Sequence, residues 1–135
     1  GSTIFHQRGS HDSAAGVTAQ MTQRLKQGRA VAVFPEGGIV PGAPIRMFHA
    51  RMFRAAVDTG CLVQPVTVRY MRDGHIDEGV AFRVDESMGV NFCRQLARPR
   101  SVAEIHFLPA ISAVDQPRRY LAESARAAVV SCYES

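Results

Sequence analysis

The spacing of apolar positions changes along the chain, and each change of period predicts a new element. After the polar run SHDS at 10–13, apolar side chains recur at Ala14, Val17, Met21 and Leu25, which is one face of a helix. Ser10, His11, Asp12 and Ser13 offer N-cap side chains, and Gly28 sits where a terminating glycine belongs. RAVAVF at 29–34 is a continuous apolar run, the pattern of a strand buried on both faces of a parallel sheet. Beyond a glycine- and proline-rich loop, Ile45, Phe48, Met52, Ala55 and Ala56 share a helical face. Arg46, Arg51 and Arg54 lie toward the other side with Met47, and Gly60 closes this helix.

In LVQPVTVRY (62–70), Val66, Val68 and Tyr70 alternate with Thr67 and Arg69, the period of a strand. Pro65 has no N–H for a ladder, so it predicts a bulge, a strand start or an edge. Asp73-Gly74 marks a turn. VAFRV (80–84) predicts a short strand, MGVNFCRQLA (88–97) a helix that Pro99 ends, and VAEIHFLPAI (102–111) another strand. Asp115 and Pro117 open a last helix with an inner face of Leu121, Ala125, Ala128 and Cys132. With TIFHQR (3–8) as a strand at the front, the alternation predicts an α/β fold. The expected form is a mainly parallel or mixed sheet flanked by helices, with residues 1–135 as a single domain or one piece of a domain.

Composition narrows the function classes. A chain of 135 residues with 46% hydrophobic content can bury a core without metal or disulfide help. Its apolar runs are too short to cross a bilayer, and GSTIFHQRGS lacks the apolar segment of a signal peptide. Cys61, Cys93 and Cys132 show no C-x-x-C spacing, so reduced thiols in a cytosolic setting are expected, with no metal site. The net charge is +4. Lys26 is the only lysine, so almost every cation is an arginine fork suited to phosphate. There is no tryptophan and no basic run interleaved with aromatics, so no nucleic-acid partner is expected.

The candidate chemistry lies in VAVFPEGGIVPG (31–42). In α/β sheets, ligands gather outside the carboxyl ends of strands, and adjacent glycines let backbone N–H groups approach an anion. FPEGG resembles the F-P-E-G-T-R-S block of the glycerolipid acyltransferases, the lysophosphatidic acid acyltransferase family. TIFHQR resembles that family's preceding block, which puts Arg8 at the phosphate-contacting position. PIRMFHARMFRAAVDTGCLVQPVTVRY is similar to the family's phenylalanine-bearing helix and the valine-proline-valine strand that follows it.

The resemblance spans nearly the whole chain and implies part of an acyltransferase domain. The implied reaction moves an acyl group from acyl-coenzyme A or acyl carrier protein, as co-substrate, onto the hydroxyl of a lysolipid. No further cofactor is implied. The implied substrate-binding residues are Arg8, Pro35, Glu36, Gly37 and Gly38. The implied setting is a membrane surface on the cytoplasmic side for the whole protein, with this piece soluble. The family's general base is the histidine of an H-x-x-x-x-D block, oriented by the aspartate. None of His6, His11, His49, His75 and His106 has an aspartate five residues on, so no catalytic residue is assigned. The family places that block upstream of TIFHQR, which predicts that this chain is the C-terminal portion of the domain and inactive alone.

Where the family reads G-T-R-S, this chain reads Gly37-Gly38-Ile39-Val40. Ile39 thus replaces an arginine that would clamp phosphate. That leaves room for another head group, such as the lyso-form of an amino-acid-containing lipid, with Arg46 as a substitute charge. Met47 and Phe53, apolar beside arginines, are candidates for contact with a lipid interface. The alternative is a non-enzymatic phosphate or lipid head-group binding module built on Arg8 and the two glycines.

Overall fold

The computed structural model describes residues 11–37, 45–83 and 85–135, with side chains in the first helix from Ala15 onward. Helix α1 (His11–Lys26) ends as its glycine predicts. Gly28 takes φ +71, its N–H donates to the Leu25 carbonyl at 2.9 Å, and Arg29 N–H donates to the Arg24 carbonyl at 3.0 Å. These paired bonds are the Schellman closure, which needs a residue free to adopt left-handed dihedrals.

The core gathers around the last helix, α4 (Arg118–Glu134). Leu121, wholly buried, packs with Ala122 and Ala125 against Phe53, Ala56 and Ala113. Small side chains on both sides let the helix backbones approach closely while Leu121 and Phe53 fill the remaining volume. Leu121 and Ala125 sit on the expected inner face, but Val129 is buried where Ala128 and Cys132 were expected, and these two are half-buried.

The helix expected from Ile45 starts later. A 3-10 helix at Ala50–Phe53 leads into α2 (Arg54–Thr59), and His49 is extended, with φ −70 and ψ 108. Phe48 and Met52 still pack on the core. Phe53 is 5% exposed, so it is a core side chain and is unavailable to a lipid surface, whereas Met47 is exposed.

The sheet is antiparallel, not mainly parallel or mixed. Strand β1 (Leu62–Val63) pairs with β5 (Ile111–Ser112), while β2 (Val66–Arg72) lies between β3 (His75–Ile76) and β4 (Val102–Phe107). The fold is therefore a mixed α/β arrangement with small antiparallel sheets. Pro65 interrupts the first strand as expected. Its carbonyl accepts the Leu108 N–H at 3.0 Å, and the Gln64 amide reaches the Leu108 carbonyl, so the ladder breaks in both strands at one place. The VAEIHFLPAI strand is accordingly split into β4 and β5.

Two expected strands are absent. Residues 29–34 are irregular, and Phe34 is 91% exposed. An apolar run becomes a buried strand only where neighbours take its N–H and C=O groups, and among the described residues β2 is flanked by β3 and β4 instead. Where VAFRV was expected, a 3-10 helix at Glu78–Val80 is followed by irregular backbone at 81–83, and the Arg94 guanidinium takes the Gly79 and Ala81 carbonyls. The expected strand at 3–8 lies outside the described residues.

Polar contacts hold the remaining layers. Thr67 lies beneath α4 with its hydroxyl 3.5 Å from the Val129 carbonyl, and Arg69 donates to the Cys132 carbonyl at 3.3 Å. Helix α3 (Met88–Leu96) is capped by Ser87, whose hydroxyl accepts the Val90 N–H. The Glu86 carboxylate just before it accepts two bonds from Arg94, both 2.7 Å, and one from the Asn91 amide at 2.9 Å. Hydrogen bonds from Arg94 and then Asn91 outweigh burial and hold the Glu86 carboxyl far below its ordinary value. At Asp77, burial acts to raise the carboxyl. Hydrogen bonds from Ser101 and Arg98, with the charges of Arg72 and Arg98, reverse this and lower it.

Both carboxylates are depressed in the folded state, so their contribution is complete above the ordinary carboxylate range. It is lost as pH falls from about 4 toward the folded values. Thermal melts of the protein should therefore decline on acidification below about pH 4. Glu86→Gln should melt lower at neutral pH and show a shallower acid decline; parallel acid slopes would contradict this account.

Candidate functional site

The FPEG turn is built by folding residues 34–37 back on residues 45–49. Pro35 and Glu36 form the turn. The Pro35 carbonyl accepts the His49 N–H at 2.9 Å, and Glu36 Oε2 accepts the Arg46 N–H at 3.1 Å. Gly37 takes φ +72 and lies against the His49 ring. A Cβ added there would sit 2.8 Å from Nε2 and 2.9 Å from Cδ2 of that imidazole. Left-handed backbone and close approach together favour glycine at this position.

A third element fixes this pair of segments. Arg126, on α4, donates from Nη2 to the Ile45 carbonyl at 2.8 Å and from Nε to the Arg46 carbonyl at 3.0 Å. One guanidinium thus spans two consecutive carbonyls, and these charge-assisted bonds are stronger than neutral ones. They tie residues 45–46 to the helix that carries the core.

Three of the predicted site residues, Pro35, Glu36 and Gly37, are brought together in one turn. Arg8 and Gly38 lie outside the described residues, as does Ile39. Arg46 meets Glu36 through its backbone N–H; its guanidinium is exposed and engages no partner among the described residues. The Glu36 carboxylate keeps Oε1 free of any hydrogen bond among the described residues. Its chemical capacity is to accept a proton donor from a bound molecule, a hydroxyl or an ammonium group.

His49 and Arg126 are the contributors that sequence reasoning did not single out. No periodicity links Gly37 to His49, and Arg126 reads as an ordinary helix cation. A groove of about 780 Å³ between α1 and α2, lined by Ala19, Thr22, Arg54 and Asp58 among others, contains none of the predicted site residues. No group of His, Cys, Asp and Glu able to hold a metal occurs among the described residues, and no helix among them is long and apolar enough to cross a membrane.

Gly37→Ala should strain the turn, because a non-glycine residue in this backbone region costs about 1–2 kcal/mol and its methyl meets the imidazole. The expected result is a displaced His49 ring resonance and weaker amide protection at His49, with the α4 core unaltered. Unchanged His49 signals would contradict the geometry.

Comparison with known proteins identifies the family. The Acyltransferase family model matches residues 1–69, just over half of the chain, and includes the FPEG turn. The chain is 35% identical over 127 residues to the lyso-ornithine lipid O-acyltransferase of Pseudomonas aeruginosa, covering 94% of this chain and 49% of that protein. It is 24% identical over 132 residues to the 1-acyl-sn-glycerol-3-phosphate acyltransferase of Neisseria gonorrhoeae, covering 94% of this chain and 52% of that one. The enzyme of the same name from Borreliella burgdorferi is 34% identical over 65 residues, which cover 48% of this chain and 26% of that protein. The chain spans about half the length of the first of these relatives. No solved structure matches it. The chain belongs to the Acyltransferase family, among the glycerolipid acyltransferases whose F-P-E-G block it carries.

Proposed function

We propose that this chain forms the acceptor-binding portion of a lysolipid acyltransferase of membrane lipid synthesis. The whole protein transfers a fatty acyl group from acyl-coenzyme A or acyl carrier protein to the hydroxyl of an amino-acid-containing lysolipid, of the lyso-ornithine type. It works at a membrane surface, on its cytoplasmic face. The observation that carries this reading is the 35% identity that runs through 94% of the chain to a relative named for that acceptor. The replacement of a phosphate-clamping arginine by Ile39 supports it independently.

The acceptor hydroxyl oxygen attacks the thioester carbonyl, and a histidine acting as general base takes its proton. The carbon–sulfur bond then breaks and the thiolate leaves, to be protonated in turn. Within this chain, Glu36 accepts a hydrogen bond from the acceptor through Oε1. Ornithine's side-chain ammonium or the lipid's hydroxyl group supplies that donor. Gly37 and Gly38 bring backbone close to the head group, Pro35 sets the turn, and Arg8 lies near the acceptor's polar end. The proton-abstracting histidine belongs to an H-x-x-x-x-D block that these 135 residues do not contain, so the chain by itself is inactive.

The second reading is a head-group binding module without chemistry, built on Arg8 and the two glycines. Assay of the whole protein separates the two. With labelled acyl donor, lyso-ornithine lipid should be acylated in preference to lysophosphatidic acid. Glu36→Ala should lower kcat/KM by about 10- to 100-fold, the effect of losing one hydrogen bond to a charged group. Acceptor binding without any acyl transfer would establish the module, and preference for lysophosphatidic acid would overturn the assigned acceptor.

A further inference from the structure

Helix α3 is polar on the side it turns to the protein and apolar on the side it turns to solvent. Asn91 and Arg94 bond Glu86, and Gln95 bonds the Gly79 and Val80 carbonyls at 3.1 and 3.2 Å. On the outer side, Met88, Phe92 and Leu96 recur at every fourth position and are 77%, 62% and 70% exposed. Such a stripe is the inverse of a core-facing helix, whose apolar residues point inward.

What covers it can be argued from charge and backbone. Residues 83–100 carry Arg83, Arg94, Arg98 and Arg100 against Asp85 and Glu86. Arg94 is paired with Glu86 and Arg98 with Asp77. Arg83 and Arg100, before and after the helix, are exposed and form no ion pair among the described residues. Because a helix satisfies its own backbone, α3 presents only side chains. The other apolar surface, formed by Val66, Val68, Ile105 and Phe107, belongs to a sheet whose outer strand β4 has no partner on its far edge among the described residues. That open edge suits a further backbone segment. A short apolar stripe flanked by arginines suits a lipid interface, where such a helix lies in the plane of the head groups.

We infer that α3 is the element that docks this domain on an anionic lipid surface. Met88, Phe92 and Leu96 enter the boundary between head groups and acyl chains, and Arg83 and Arg100 meet lipid phosphates on either side. At nine residues, the helix is roughly 14 Å long and lies flat. The ion pair between Glu86 and Arg94 holds the stripe at a fixed angle to the protein. The inference rests on the reading of a lysolipid acceptor, which resides in a bilayer, and it names the part of the chain that meets that bilayer.

Because the chain has no tryptophan, Phe92→Trp supplies a single fluorophore on the stripe. Its emission is read with phosphatidylcholine vesicles containing about a third phosphatidylglycerol, an anionic surface. The expected result is a blue shift, quenching by brominated acyl chains, and weakening as salt rises to about 0.5 M. Adding Met88→Ser and Leu96→Ser to this variant should weaken partitioning about tenfold or more. A second reporter, Phe107→Trp on the sheet, should not be quenched. Unchanged Phe92→Trp emission, equal quenching of Phe107→Trp, or indifference to Met88 and Leu96 would overturn the inference and assign the stripe to a protein partner. Partitioning is measured without acyl donor. Acyl transfer to an acceptor dispersed in detergent is scored separately, so either reading can fail alone.

Discussion

The bridge from Arg126 to the carbonyls of Ile45 and Arg46 is the contact on which the arrangement of the site depends. A helix started at Ile45 would have used those two carbonyls for its own first turns. With both taken by a guanidinium from α4, residues 45–49 stay outside any helix and the 3-10 helix starts at Ala50. The N–H groups of Arg46 and His49 are then available to Glu36 and Pro35. The local interruption of a helix thereby becomes a platform for the FPEG turn. The anchor for Arg126 is the helix at the core, where Leu121, Ala122 and Ala125 meet Phe53, Ala56 and Ala113.

Residues 77–101 are organised by ion pairs more than by apolar burial. Asp77 gathers Arg72, Arg98 and Ser101, and Glu86 gathers Arg94, Asn91 and the Arg83 N–H. These contacts set the path of 77–101 while leaving its apolar side chains outward. Removing Asp77 would leave Arg72 and Arg98 without their shared counter-charge, and removing Glu86 would leave Arg94 without its own, which costs more than the pair contributes. Gly79 belongs to the same arrangement: an added Cβ would lie 2.0 Å from an Arg98 nitrogen, so the guanidinium occupies the space a side chain would need.

Local chemistry was legible in the sequence where one residue decides the geometry. Gly28 and Gly60 end helices with positive φ, and Pro65 breaks the strand. Leu121 and Ala125 were readable because helical period alone puts them on one face. The F-P-E-G block located Pro35, Glu36 and Gly37 as one unit. Long-range pairing was not legible. RAVAVF has the composition of a buried strand, but composition does not say which strand adjoins β2. Nor does VAFRV show that the Arg94 side chain takes the Ala81 and Gly79 carbonyls from 13 and 15 residues away. The alternation of Val66, Val68 and Tyr70 fixed the period but not which face meets α4, and it is Thr67 that lies beneath the helix.

The claim that α4 holds the FPEG turn through Arg126 is tested most directly by amide hydrogen exchange in Arg126→Ala. The account predicts faster exchange at Arg46 and His49, by about tenfold for a loss near 1.4 kcal/mol, with protection at Ala125 and Val129 preserved. Unchanged exchange at Arg46 and His49 would show that the turn stands without that bridge, and would contradict the account.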